Sequence, residues 1–144
     1  MSFALTVAER EQFLADVHVA VLSVAAGERR GPLTVPVWYN YQPGGQVSVI
    51  TGRSSRKALA VRAAGRMSLC AQDEAPPYTY VSVEGTAVIG ETEFEERLAM
   101  ARRYLGAEGG DQYMAANAGS AREDIVIRLS PVHWLTADFG KPQA

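Results

Sequence analysis

The sequence predicts an α+β fold: a mainly antiparallel six-stranded β-barrel with peripheral helices. Six β-rich runs carry that reading, at 18–26, 32–41, 46–51, 66–72, 79–89 and 124–129, and the clearest of them alternate apolar and polar side chains. Helical signals occur only before the first run, between the third and fourth, and ahead of the last. With 144 residues, a mass of 15.5 kDa and no repeat, linker or low-complexity tract, residues 1–144 are expected to form one domain with its own core.

Thr6-Val7-Ala8-Glu9 has the form of a capping box, which opens a helix to about Asp16 with Phe13, Leu14 and Val17 as apolar anchors. His18 to Ala26 is the first strand and Gly27 to Gly31 its turn. Pro32 to Tyr41 is the second strand, and Pro36 within it demands an edge or a bulge because proline has no N–H to donate. Pro43-Gly44-Gly45 turns the chain into the third strand, Gln46 to Thr51. Lys57 to Ala64 contains good helix formers without Gly or Pro.

Arg66 to Gln72 alternates Met67, Leu69 and Ala71 as a fourth strand, and Asp73 to Pro77 is a loop. Thr79 to Ile89 sets Val81, Val83, Gly85, Ala87 and Ile89 on one face, and Gly85 there predicts a bulge or a close backbone approach. Thr92-Glu93-Phe94-Glu95 is a second capping-box pattern. Phe94, Leu98, Ala101 and Leu105 then describe an amphipathic helix to about Gly106. Gly109-Gly110 is expected to break the chain before a short helix from Asp111 to Ala118. Asp124 to Leu129 is the last strand, continuing irregularly to Leu135.

Composition excludes several classes of function. A formal charge of −2 and a pI near 5.7 argue against general nucleic-acid binding. No run of 18 apolar residues and no apolar N-terminal segment is present, so a cytoplasmic protein without a membrane span is expected. Cys70, the single cysteine, rules out an internal disulfide, fits a reducing compartment and reads as a packed thiol. His18 and His133 lack metal-ligand spacing. No Ser/His/Asp pattern, phosphate-binding Walker loop or dinucleotide glycine motif occurs, so the catalytic residues stay unassigned.

The chemistry concentrates in Thr51-Gly52-Arg53-Ser54-Ser55-Arg56-Lys57. Ser54 or Ser55 is a natural N-cap for the helix that follows, which puts Arg56 and Lys57 in its first turn. Cations there oppose the helix dipole. The conflict is relieved if an anion binds the free N–H groups, the hydroxyls and both cations. Residues 51–66 hold five basic side chains (Arg53, Arg56, Lys57, Arg62, Arg66) and no acidic one, leaving nine basic against sixteen acidic in the remaining 128. That asymmetry fits a small anionic ligand, and it also fits a solvated basic helix face.

This strand–Thr–turn–Ser-Arg-Lys–helix order resembles the phosphate-binding turn of the pyridoxamine-phosphate-oxidase-like split β-barrels, a superfamily that includes flavin and deazaflavin oxidoreductases. Three further segments resemble the same family in the same order. Leu33-Thr34-Val35-Pro36-Val37-Trp38-Tyr39 is similar to its second strand, which passes the isoalloxazine ring. Pro77 to Ala87 is similar to the start of its long fifth strand, and Arg128 to Trp134 to its last.

The resemblance implies a split β-barrel homodimer with a cofactor cleft between subunits. It implies that Thr51, Arg56 and Lys57 contact the cofactor phosphate, with Arg53, Ser54 and Ser55 beside it. Val35, Pro36, Val37, Trp38 and Ile50 would lie along the ring, while Tyr78 and Tyr80 face the ligand or the partner subunit. Trp38, Tyr39 and Tyr41 equally suit packing.

The cofactors implied are FMN and the deazaflavin F420, whose phospholactyl-glutamate tail would use the extra charge of Arg53 and Arg62. The implied activity is hydride transfer to or from a small organic substrate, with NADPH-linked reduction on FMN as a variant. A non-catalytic flavin- or haem-binding storage protein is the alternative. True pyridoxamine-phosphate oxidase activity is not expected, because only Thr136 to Ala144, with the single basic residue Lys141, follows the last matched strand.

Overall fold

The computed structural model describes residues 2–143. Its elements run α1 (Val7–Ala15), β1 (Ala20–Val24), β2 (Leu33–Val37), β3 (Val47–Gly52), α2 (Arg56–Ala64), β4 (Arg66–Asp73), β5 (Thr79–Glu91), α3 (Phe94–Ala116), a 3-10 turn (Ala118–Glu123) and β6 (Asp124–Asp138). All six strands pair antiparallel in one sheet of order β2-β1-β4-β5-β6-β3. An isolated bridge between Asn40, beyond β2, and Ser48 of β3 joins the two edges of the sheet. The result is an α+β fold around a curled sheet that is only partly closed.

Alternation fixes which face is inside. Val47 and Val49 of β3, Leu69 of β4, Val81 and Val83 of β5, and Ile125, Ile127 and Leu129 of β6 fill the interior with Leu14, Leu22 and Tyr39. Val126 has the opposite parity and pairs with Ile50. It is buried nonetheless, outside the main cluster, as are Met100 and Ala101 of α3. A second, smaller apolar layer therefore lies on the outer face of the β3–β6 edge.

The Thr6–Glu9 capping box forms in full, with Glu9 N–H donating to Thr6 Oγ1 at 3.2 Å and Thr6 N–H to Glu9 Oε1 at 2.8 Å. Val17 is no anchor: it follows the C-cap Asp16 and is exposed. Pro36 lies on the edge strand β2 opposite Val21, where a missing N–H is tolerated. At Gly85 the β5–β6 register shifts, and a Cβ there would stand 1.8 Å from the Ser130 carbonyl oxygen. Both the bulge and the close approach are therefore present.

Three expectations need correction. The Thr92–Glu95 pattern does not form a capping box. The N-cap is Glu93 without a side-chain bond, and the Thr92 hydroxyl donates instead to Glu96 at 2.8 Å. The helical excursion bends at Gly106, whose φ of 79° is left-handed, and not at Gly109-Gly110. Gly110 is buried against the Arg102 backbone, so that glycine serves contact between the two helical arms. Phe94 and Leu105 are exposed, while Met100 and Ala101 form the buried side. β6 does continue irregularly past Leu129, as expected: Val132 bulges out between Pro131 and His133, and pairing with β5 then resumes out to Asp138.

Candidate functional site

The basic turn is held by its own hydroxyls. Ser55 is the N-cap of α2, in extended geometry (φ −65°, ψ 156°), and its Oγ accepts from Ala58 N–H at 3.1 Å. Thr51, at the end of β3, donates to Ser55 Oγ at 3.0 Å, and Ser55 N–H donates to the Gly52 carbonyl at 3.0 Å. Strand end, turn and helix start are thus one hydrogen-bonded unit. Arg56 and Lys57 occupy the first turn of α2 with no acidic neighbour in that turn. Among the described residues neither side chain has a hydrogen-bond or ion-pair partner. This end of α2 is an uncompensated positive pole.

The positive pole borders a cleft. Two adjoining cavities, of about 480 and 470 Å³, share the walls Trp38, Ile50 and Tyr113. One reaches Lys57, Pro36 and Val37. The other reaches Thr51 and Gly52, then runs beneath α3 past Phe94, Met100 and Met114 to Arg97, Asn117 and Asp124. Pro36, Val37, Trp38, Ile50, Thr51 and Lys57 are therefore brought to one place. Ser54 and Arg56 are exposed on the adjacent turn. Val35 is not in the cleft: its side chain packs against the core.

Trp38 is fixed before any ligand arrives. Its ring stacks on Tyr104 at 4.9 Å and 6° and leans on Tyr113 at 5.6 Å and 49°. The Tyr104 hydroxyl accepts from Tyr39 N–H at 3.0 Å and donates to the His18 carbonyl at 2.6 Å. Tyr39 itself is fully buried and donates to the Leu14 carbonyl at 2.7 Å, and that burial raises its phenol pKa. Tyr41 is also in the core. Of the three aromatics on this segment, Trp38 alone lines the cleft.

Arg53 is occupied. Its guanidinium donates two bonds of 3.1 Å to the Glu91 carboxylate and one of 3.2 Å to the Arg122 carbonyl. Its N–H reaches the Glu123 carbonyl at 2.6 Å, and its own carbonyl accepts from Arg62 at 3.1 Å. The hydrogen bonds to Glu91, then its charge, raise the Arg53 pKa, and the same contacts lower that of Glu91.

Tyr78 and Tyr80 lie at the far end of the sheet. Tyr80 pairs with Ala137, whereas Thr51 and Glu91 both pair with Ile125. Eleven residues of β5 separate the two ends, about 35 Å along the strand. The structure does not bring these tyrosines to the cleft of the same chain.

The cleft also takes in Tyr113, Arg97 and Asp124, with Tyr104 stacked on Trp38, and no sequence motif marks these four residues. Burial pushes the Asp124 carboxyl above its ordinary range, against the opposing charge of Arg97. All four come from the excursion between β5 and β6 or from its junction with β6. Its fold back over β3 leaves no short-range signal in the sequence.

No protein-family profile and no curated protein matches this chain. Solved structures do resemble it. A conserved hypothetical protein from Mycobacterium tuberculosis superposes with a TM-score of 0.77 at 20% identity, over 99% of this chain and 92% of that one. An FAD-binding protein from Mesorhizobium loti gives 0.64 at 16%, over 92% and 93%. An F420 reductase gives 0.63 at 15%, over 87% and 94%. Matched over most of its length to these proteins, the chain shares their fold, a six-stranded antiparallel split β-barrel with peripheral helices.

Proposed function

We propose that this protein is a homodimeric oxidoreductase that binds F420 or FMN and transfers a hydride between that cofactor and a small organic substrate. One observation carries the reading. The N-terminus of α2, with Arg56 and Lys57 unpaired, adjoins a cleft walled by the pre-stacked Trp38. Cavities of this size and mixed lining suit a flat aromatic ligand with an anionic end. The donor set suits a phosphate: two cations, the Ser54 and Ser55 hydroxyls, and first-turn N–H groups that lack intrahelical acceptors. When bound, such a cofactor supplies the hydride chemistry itself.

The chain's own residues then bind, orient and shield. Arg56 and Lys57 hold the phosphate, while the Thr51–Ser55 bond keeps the turn in shape. Pro36, Val37, Trp38 and Ile50 provide an apolar face for the ring, and α3 covers the neighbouring cavity against water. Tyr78 and Tyr80 are too distant to act in their own subunit's cleft, so any contact with the ring comes from the partner subunit's Tyr78 and Tyr80. Exposed Val21, Val132 and Leu135 on the sheet give a partner an apolar surface.

The test is a titration of the purified protein with FMN and with F420, followed by absorbance and fluorescence. Saturable binding of either at micromolar concentration supports the reading, and failure of both refutes it. Substrate-dependent reoxidation of the bound, reduced cofactor separates an oxidoreductase from a storage protein.

A further inference from the structure

Arg53 and Glu91 bear on the identity of the anion this site accepts. Spare charge at Arg53 and Arg62 is what would welcome an anionic tail in addition to a phosphate. In the structure the Arg53 charge already has a counter-ion, and the Arg62 side chain is engaged. Glu91 satisfies both terminal nitrogens of Arg53, and Arg62 is turned onto the Arg53 backbone. Arg53 stands three residues before Arg56, within about 11 Å along the chain. A carboxylate extending from a phosphate on α2 towards the Glu91 side of the turn would come within its reach. The pair is open to solvent, with side-chain exposures of 37% for Arg53 and 70% for Glu91. Glu91 can be displaced, but it competes.

We infer that Glu91 is a selectivity residue, an internal counter-ion that occupies Arg53 in place of a ligand's second anionic group. The site is thereby biased towards cofactors whose only anion is one phosphate and against those with a further carboxylate tail. The inference rests on the proposed cofactor site. Its physical basis is that an exposed bidentate pair is weak enough to exchange and strong enough to discriminate. Arg53 keeps a second task in either state, because its N–H bond to the Glu123 carbonyl and its bond to the Arg122 carbonyl tie the turn to the end of the helical excursion.

Fluorescence titration of wild type, Glu91→Gln, Arg53→Ala and the double variant with FMN and with tailed F420 tests this. Glu91→Gln should tighten F420 about two- to fivefold, the scale of an exposed ion pair, and leave FMN within twofold. Added salt should erase the gain. The double variant should return F420 to the wild-type level, because the freed guanidinium is then absent. Glu28→Gln, which removes the same charge from an exposed loop, should change nothing. Equal tightening of both ligands, no change in either, or a gain that survives loss of Arg53 would overturn the selectivity role. If neither ligand binds wild type, the cofactor site itself is refuted and the inference goes with it.

Discussion

The rings of Trp38 and Tyr104 lie face to face, 4.9 Å apart and 6° from parallel, although 65 residues separate the neighbouring Tyr39 from Tyr104. The same tyrosine bridges the Tyr39 N–H and the His18 carbonyl through its hydroxyl. One side chain of α3 therefore sets both the backbone and the ring at the cleft wall.

Removing that hydroxyl should cost stability without emptying space. Tyr104→Phe leaves the Tyr39 N–H without its acceptor, a loss of about 1–3 kcal/mol. For a chain of this size that lowers the melting temperature by roughly 4–10 °C. Trp38 should keep its stacking partner, so cofactor affinity should fall less than in Tyr104→Ala. A Tyr104→Phe variant that melts with wild type would show that water or a shifted backbone replaces the bond.

Gly85→Ala should be among the most damaging single-methyl changes in the barrel. The new Cβ would sit 1.8 Å from the Ser130 oxygen and 3.2 Å from Val132 Cγ2. β5 and β6 must separate there, breaking the longest pairing in the sheet. A destabilisation of roughly 3 kcal/mol or more is expected in urea unfolding. A change under about 1 kcal/mol would mean that the bulge relaxes freely.

The two ends of the chain give a pH signature. Hydrogen bonding by Lys141, then by the Thr6 backbone, lowers the Glu9 carboxyl from 4.5 to about 2. A lowered folded pKa means that this contribution is complete above the unfolded value and is lost as pH falls. Wild type should therefore lose stability relative to Glu9→Gln between about pH 5 and pH 2, and the difference should level off below. Parallel melting curves for the two proteins across that window would show that Glu9 has no net effect.

Dimerisation should be visible directly. Light scattering at micromolar concentration should give twice the chain mass of 15.5 kDa, and Tyr80→Ala should weaken cofactor binding only through the partner's cleft. A monomer that binds cofactor with full affinity would contradict the shared site.

The strand pattern was legible because a half-buried strand writes its burial in alternate residues, as Val81, Val83, Gly85 and Ala87 do. Ser55 was legible as a cap because capping is local. The excursion was not. Its apolar residues serve an outer layer and a cavity wall rather than the main core, so Phe94 and Leu105 sit exposed where a helical stripe predicts burial. The break went to Gly106 rather than Gly109-Gly110 because Gly110 is needed for the close approach to Arg102. Arg53 illustrates the limit at the site. Its charge was plain in the sequence, but the carboxylate that occupies it lies 38 residues away on β5.

The most direct test of the account is the affinity of Arg56→Ala and Lys57→Ala for FMN and F420 against wild type. Each lost charge-assisted bond is worth about 1.5–3 kcal/mol, so each variant should bind roughly 10- to 150-fold more weakly. Arg66→Ala, on β4 beyond the helix, should bind like wild type. Without cofactor the melting temperature should hold or rise slightly, because a cation is removed from a positive helix end. If both variants bind both cofactors as tightly as wild type, Arg56 and Lys57 are a solvated face and the proposed function fails.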